Sequence, residues 1–285
     1  MNIDISERLR PFSHQPGTSV LVPGSDWVVQ VFPTLLKVQG MEVPLCQKGP
    51  VRGFTVQSDL EKGCVWIWGT SPEGYFRFQL IPSPEGLILR RKNQEQLLVA
   101  GGEQFTKKDP ERIFLGCHKA QDLDLARRRI HSTELAPMLF LLGQKVPGNA
   151  AEVAFDGIHF EESFSSFYLS SFAGLFCSHA IDPLHQGMDR KLSSGNLLSG
   201  AYQAIRKLLL DGSVILPNLP SNWISGRATN FQTPFGRIDF EWRRGMVRRL
   251  FLEADQPAPF QFGPSVRNYR TQSIGKMVLY DNFLK

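Results

Sequence analysis

Two segments rich in histidine and aspartate contain the side chains best suited to chemistry. Residues 117–129 read CHKAQDLDLARRR, and residues 177–190 read CSHAIDPLHQGMDR. If the first segment is helical, His118 and Asp122 lie one turn apart and share a face. Such a pair can act as a general base with its orienting carboxylate, or as two ligands of a divalent metal.

The second segment supplies His185 and Asp189 in a predicted loop, and loops on rigid scaffolds often carry functional sites. A metal site needs three or four converging ligands, so His185 would have to approach His118 in the fold. The alternative is a polar connector with a turn at Asp182-Pro183, and an Asp122 that only belongs to the acidic first turn of a helix.

A pair of carboxylates, Glu161 and Glu162, offers a different chemistry. Glycoside hydrolysis needs two carboxyl groups across a sugar, one to donate a proton and one to act as base or nucleophile. Adjacent glutamates usually point apart, so one of them could face a cleft. The alternative is that both belong to the exposed start of a helix.

Three tryptophans are candidates for binding a sugar by stacking: Trp66, Trp68 and Trp223. The flat apolar face of an indole matches the C–H side of a pyranose ring. In a β-strand, Trp66 and Trp68 lie on the same face because side chains alternate with a period of two. The alternative is that these rings belong to the core of a sandwich.

The composition is typical of a globular protein of one or two domains, with 285 residues of which 42% are apolar. The net charge is +5, but the basic residues occur in clusters too short for a nucleic-acid tail, so we see no clear nucleic-acid signature. The chain has no dinucleotide-binding, Walker, hydrolase-elbow or zincin motif, and we expect no cofactor.

The N-terminal residues are polar, and no window of eighteen apolar residues occurs, so we predict no signal peptide and no transmembrane helix. None of the four cysteines forms a C-x-x-C pair, which is typical of free thiols in a reducing compartment. We therefore expect a cytoplasmic protein, with secretion by a signal-independent route left open.

Short strands separated by turn residues dominate residues 1–110, which we expect to form an N-terminal β-sandwich region. Residues 111–212 are predicted to be helical, most clearly at 196–210 and from 132 to Gly143. Residues 213–285 are predicted to form a C-terminal β region. The predicted fold class is α+β and β-rich, with antiparallel β-sandwich sheets from both chain ends and a helical insert.

The clearest pattern in the C-terminal region is a hairpin. Apolar and polar residues alternate over 235–242 and again over 246–253, and the turn lies at Arg243-Arg244-Gly245. This pattern predicts two antiparallel strands with one buried face.

The order of residues around this hairpin also resembles a known family. Leu219-Pro220 and Trp223 precede Gly226, and Thr233-Pro-Phe-Gly leads into a strand that ends at Glu241-Trp242. This order resembles the C-terminal β-sandwich of bacterial glycosidases with an (α/α) barrel, of the α-L-fucosidase and maltose-phosphorylase kind. The similarity covers about forty residues and includes no catalytic residue.

The resemblance implies a helical barrel between two β regions. A barrel of twelve helices needs about 180 residues at roughly 11 per helix and about 4 per connection. The predicted helical region 111–212 is much shorter than that. The barrel cannot be present in full, and the family's catalytic glutamate transfers to no residue of this chain.

These observations leave two functions open. The first is a carbohydrate-related protein, a shortened and degenerate relative of the glycosidases that binds glycan without ordinary turnover. The second is a non-enzymatic structural or protein-interaction module on a β-sandwich scaffold. A third and weaker hypothesis is a metal-dependent enzyme that uses the two histidine-rich segments.

Overall fold

The computed structural model describes residues 3–5, 9–92, 94–102, 109–118, 132–145, 194–256, 258–262, 269–271 and 274–281. Over these residues the fold is α+β and β-rich, with antiparallel sheets, as the sequence predicts. The first twelve strands are β1 (Ile3–Ile5), β2 (Phe12–Ser13), β3 (Thr18–Leu21), β4 (Val28–Val31), β5 (Leu35–Val38), β6 (Met41–Pro44), β7 (Arg52–Asp59), β8 (Cys64–Ser71), β9 (Gly74–Ser83), β10 (Gly86–Arg91), β11 (Gln94–Ala100) and β12 (Arg112–His118).

The remaining elements are the helices α1 (Ser132–Gly143) and α2 (Ser194–Leu209) and the strands β13 (Leu210–Asp211), β14 (Val214–Ile215), β15 (Ser225–Thr233), β16 (Gly236–Arg243), β17 (Met246–Ala254), β18 (Ala258–Phe262), β19 (Tyr269–Thr271) and β20 (Gly275–Asp281). Both helices match predicted helical segments. The strands form four sheets, ordered β3-β4-β5-β6, β11-β10-β9-β8-β7-β2, β1-β12-β15-β16-β17-β20 and β13-β14-β18-β19.

The four-stranded sheet β3–β6 and the six-stranded sheet β2, β7–β11 pack face to face and form the N-terminal sandwich. Their inner faces share one apolar core, with Val29 and Leu36 from the smaller sheet and Ile67 and Leu80 from the larger, all fully buried. The alternation of buried and less buried residues along β8 places one face of the larger sheet on this core and the other outside.

Strands from both ends of the chain form the C-terminal sheet, which is β1, β12, β15, β16, β17 and β20. The predicted hairpin is confirmed: β16 and β17 pair antiparallel, and Ile238, Phe240 and Trp242 are buried on one face. The turn residues Arg244 and Gly245 both have positive φ, of 54° and 70°. Positive φ at both positions is the geometry that matches the twist of a two-residue hairpin.

A glycine makes room for the largest ring of this sheet. Gly226 lies directly opposite Trp242 in the register of β15 and β16. A Cβ at Gly226 would come within 2.4 Å of the Trp242 ring and 2.6 Å of the Phe114 carbonyl oxygen. The indole therefore lies flat over the Gly226 backbone, and its Nε1–H donates to the Trp223 carbonyl at 2.9 Å.

The two helices cover the buried face of the C-terminal sheet. Fully buried Phe140 of α1 and Ile205 of α2 share a core with Phe231, Phe240 and Leu250 of the sheet. The end of α1 packs closely on α2, since a Cβ at Gly143 would come within 2.3 Å of the Leu198 carbonyl oxygen. The two helices and the sheet thus form a second core, to which Leu21 of β3 also belongs.

The start of the region predicted to be helical is a strand. Residues Arg112–His118 form β12, in which Ile113 and Leu115 are buried while Arg112 and Phe114 are only partly buried. This period of two favours a strand over a helix. His118 is therefore the last residue of a strand, opposite Ile3, and does not start a helix that it would share with Asp122.

One turn of the N-terminal sandwich reaches into the second core. Leu60, between β7 and β8, is fully buried among residues of the helices and the C-terminal sheet. Its carbonyl oxygen accepts a hydrogen bond from Lys145 Nζ at 2.7 Å, and the neighbouring Glu61 pairs with Arg112 at 2.7 Å. Burial lowers the pKa of Lys145. The β7–β8 turn therefore joins the two halves of the chain.

Candidate functional site

Most of the predicted acid, base and metal-binding candidates lie outside the described residues. These are Asp122, Glu161, Glu162, His185 and Asp189. The approach of His118 to His185 therefore stays a prediction. Within the described ranges, no three His, Cys, Asp or Glu side chains are grouped as metal ligands would be.

The three candidate tryptophans fall into two environments. Trp223 is 0% exposed and belongs to the core under the C-terminal sheet. Its buried ring has no free face for a ligand, which is a correction to the prediction that Trp223 binds a sugar. Trp66 and Trp68 lie on the outer face of β8, where both are half-buried, and between them Ile67 points into the sandwich core.

The register of the sheet surrounds these two rings with polar side chains. Trp66 lies between Gln57 of β7 and Gln79 of β9. Trp68 lies between Thr55 and Arg77 of the same two strands. The two glutamines thus flank Trp66, and the residues paired with Trp68 on either side are Thr55 and Arg77.

Further aromatic side chains extend this surface in both directions. Tyr75, which is 66% exposed, follows one step beyond Trp68 along the sheet and lies opposite Thr70. At the sheet edge, Phe12 lies opposite Gln57 and is 53% exposed. We call this surface the tryptophan face, defined by Phe12, Arg52, Thr55, Gln57, Trp66, Trp68, Thr70, Tyr75, Arg77 and Gln79.

The rings of β8 and β9 form a line rather than a pocket. Residues two apart in a strand are about 6.7 Å apart, and neighbouring strands about 4.8 Å. Trp66, Trp68 and Tyr75 therefore span roughly 14 Å from end to end. This length suits a short stretch of an extended chain better than a single small molecule.

Arg77 stacks on one of these rings. Its guanidinium carbon lies 3.9 Å from the centroid of the Trp66 ring, a distance typical of a cation–π contact. Stacking occupies the flat face of the guanidinium and leaves its N–H groups at the edge. The side chain of Arg77 is exposed, so these donors face solvent.

A different cluster surrounds the carboxylate of Glu111, which is 0% exposed. Its oxygens accept hydrogen bonds from Tyr202 Oη at 2.8 Å, from the Gln232 backbone N–H at 2.8 Å and from Arg206 Nε at 2.9 Å. Gln144 binds the Glu111 backbone on both sides, as acceptor from its N–H and as donor to its oxygen.

The interactions of the Glu111 cluster stabilise the fold. Burial, together with the charge of Glu111, raises the pKa of Tyr202 well above its ordinary value. Burial opposes the charged form of Arg206, but its hydrogen bonds and ion pair with Glu111 outweigh that effect and raise its pKa. With both oxygens occupied and no exposed surface, the carboxylate is not free to act on a substrate.

The raised pKa of Tyr202 predicts a loss of stability in alkali. A tyrosine in the unfolded chain ionises near pH 10, whereas Tyr202 in the fold stays protonated beyond that pH. The hydroxyl therefore stabilises the fold fully below about pH 10, and this contribution falls as the pH rises further. Chemical denaturation at pH 8 to 11 should show the advantage of the native chain over Tyr202→Phe shrinking with pH. A constant difference would contradict this.

A surface depression lies on the outer side of β16, β17 and β20, with a volume of about 320 Å³. Phe251 and Val278 are exposed there. Its charged groups compensate each other, since Glu253 binds Arg237 at 2.5 Å and Lys276 at 3.6 Å and Asp239 adds the second negative charge. The depression therefore has no net preference for the charge of a ligand.

No protein-family model matches this chain, and no curated protein matches its sequence. Within the described part of the chain, neither helix is long and apolar enough to cross a membrane. The tryptophan face is the arrangement of described residues with the most specific binding chemistry.

Proposed function

We propose that the protein binds carbohydrate through the tryptophan face without catalysing a reaction there. The observation that supports this is the line of exposed or half-exposed rings on one sheet face, in which Trp68 and Tyr75 would stack a sugar and Trp66 holds the guanidinium of Arg77. Sugars offer an apolar C–H face to such rings, and aromatic side chains contribute large contact area at low conformational cost.

The polar neighbours of the rings suit the hydroxyl groups of a sugar. The amide of Gln57 provides two donors and one acceptor oxygen beside Trp66, and the amide of Gln79 provides the groups that its hydrogen bond with Cys64 leaves over. A hydroxyl is both a donor and an acceptor, so one amide can pair with two neighbouring hydroxyls. Rings that contact the C–H face and amides that bind the hydroxyl groups together suit an extended glycan.

The same face lacks the pair of carboxylates that hydrolysis needs. Acidic side chains near it among the described residues are Asp59, Glu73 and Glu95, and each is paired with a cation, Arg10 at 3.3 Å, Lys48 at 3.5 Å and Arg90 at 2.5 Å. None of them lies opposite a tryptophan in the register. Binding without turnover therefore fits this surface, in line with the hypothesis of a shortened glycosidase relative.

The alternative function, a protein-interaction module, is favoured by one observation. Phe251, Val278 and Ile274 are exposed apolar side chains on or beside the C-terminal sheet, with exposures of 40%, 57% and 70%. Exposed apolar patches often mark protein-binding surfaces. Because this patch is on another sheet, the two functions predict different sensitive residues.

The first experiment measures retention of the purified protein in gels that contain soluble polysaccharides. The double variant Trp68→Ala, Tyr75→Ala should weaken binding at least about tenfold, since truncated anchor residues typically cost 1 kcal/mol or more. Phe251→Ala is the matched control, because it removes an exposed ring from the other sheet and should leave retention unchanged.

Two outcomes would contradict the proposal. One is that no polysaccharide of the series retards the native protein. The other is that Phe251→Ala abolishes retention while the double variant binds normally, which would place the binding surface on the C-terminal sheet.

A further inference from the structure

The tryptophan face carries uncompensated positive charge. Arg52 and Arg77 are both exposed, and no carboxylate of the described residues forms an ion pair with either. The nearby arginines Arg10 and Arg90 differ, because they pair with Asp59 and Glu95. Two guanidinium groups beside the rings thus remain available to a ligand.

These two arginines lie on opposite sides of the line of rings. Arg77 is opposite Trp68 on β9, and Arg52 is opposite Thr70 on β7. Their Cα atoms are two strands and one side-chain repeat apart, or roughly 12 Å. A chain that follows the rings would therefore pass one guanidinium on each side.

The contact with Trp66 holds the Arg77 guanidinium in a position from which it can bind an anion. The stack holds the guanidinium 3.9 Å from the ring centroid and restricts its rotamers before any ligand arrives. The N–H edge that stays free has the fork geometry that matches a carboxylate or a sulfate with two parallel hydrogen bonds. Such preorganisation lowers the ordering cost of binding.

We infer that the ligand of the tryptophan face is an acidic glycan whose anionic groups are bound by Arg77 and Arg52. This inference rests on the carbohydrate-binding function proposed above and specifies its ligand class. The anionic group is a carboxylate of a uronic acid or a sulfate ester, since both present the same pair of acceptor oxygens.

Single-stranded nucleic acid also stacks on aromatic rings, but the surface fits it less well. Binding to nucleic acid depends on a groove whose positive charges follow successive phosphates. On this face only Arg52 and Arg77 are unpaired, and the two residues that flank Trp66 in the register are the neutral Gln57 and Gln79. A repeating phosphate chain would lack partners along most of its length.

The test compares matched pairs of polymers in affinity gels and in calorimetry. Polygalacturonate is paired with its methyl-esterified form, and dextran sulfate with dextran. A single-stranded oligonucleotide is the third polyanion. We expect the native protein to bind one acidic polymer at least about tenfold more tightly than its neutral counterpart, with affinity falling as salt rises.

Variants then assign the charge preference to residues. Arg77→Gln and Arg52→Gln should each reduce affinity for the acidic polymer about tenfold and leave binding of the neutral polymer nearly unchanged. Arg243→Gln removes the same charge from an exposed position on the C-terminal sheet and is the matched control. Thermal melting of each variant checks that the fold is intact. Arg77→Lys keeps the positive charge but removes the guanidinium, so it tests whether binding needs the two parallel hydrogen bonds or only the charge.

The outcomes separate this inference from the function on which it rests. Equal affinity for acidic and neutral polymers, with loss of both in the double variant Trp68→Ala, Tyr75→Ala, would overturn the acidic preference and keep the carbohydrate function. Failure to bind any polymer of either kind would overturn both. Tighter binding of the oligonucleotide than of every glycan, lost in Arg77→Gln, would identify a nucleic-acid surface instead.

Discussion

The variant Glu111→Ala should lose about 3–5 kcal/mol of unfolding free energy, because it leaves the buried part of Arg206 without its partner. The Glu111 side chain is 1% exposed and Arg206 is 25% exposed. The same change removes the acceptors of Tyr202 and of the Gln232 backbone N–H, so three donors lose their partner together. Urea denaturation at neutral pH measures the loss.

A second ion pair provides the control for this prediction. Glu253 also binds an arginine, Arg237, at 2.5 Å, but both side chains are about 40% exposed. Solvent screening limits such pairs to about 0–1 kcal/mol, so Glu253→Ala should change stability little. Equal losses in the two variants would show that burial does not decide the strength of the Glu111 cluster.

The variant Trp242→Ala should cost about 3–5 kcal/mol, the range for a large aromatic ring removed from a core. Trp242 is 2% exposed and fills the space over Gly226, where no other side chain replaces it. The change also removes the donor to the Trp223 carbonyl. Thermal or chemical denaturation measures the loss. An unchanged melting temperature would show that the Trp242 ring is not packed in the core.

The half-buried Trp68 is the matched control for that variant. It lies on the outer face of β8, where its side chain is only half-buried. Trp68→Ala should therefore destabilise the protein clearly less than Trp242→Ala. Similar losses at the two positions would mean that the tryptophan face is part of the packing rather than a surface.

Local sequence patterns predict those strands and helices in which the buried residues recur at a regular spacing. The alternation from Gly236 to Trp242 gave the hairpin, and the spacing of Leu198, Ala201 and Ile205 gave α2. In contrast, β11 begins with Gln94-Glu95-Gln96, whose polar residues carry no apolar period, and it was not predicted. An exposed edge strand buries few side chains, so its sequence shows little alternation of apolar and polar residues.

Only part of the candidate site can be predicted from the sequence, because the rest depends on how distant strands pair. The shared face of Trp66 and Trp68 follows from strand parity alone. The positions of Gln79 and Arg77 beside them depend on the register with β9, which a single sequence does not specify. Glu111 was missed because its partners Tyr202 and Gln232 are 91 and 121 residues away.

The insertion of Leu60 into the core of the other half has a consequence for cooperativity. A fully buried leucine contributes on the order of 2 kcal/mol, and without it the helices and the C-terminal sheet would keep a void. The N-terminal sandwich would in turn expose that leucine if it folded alone. Each half therefore lacks part of its stability until the other is in place, and we expect the two cores to unfold in one transition.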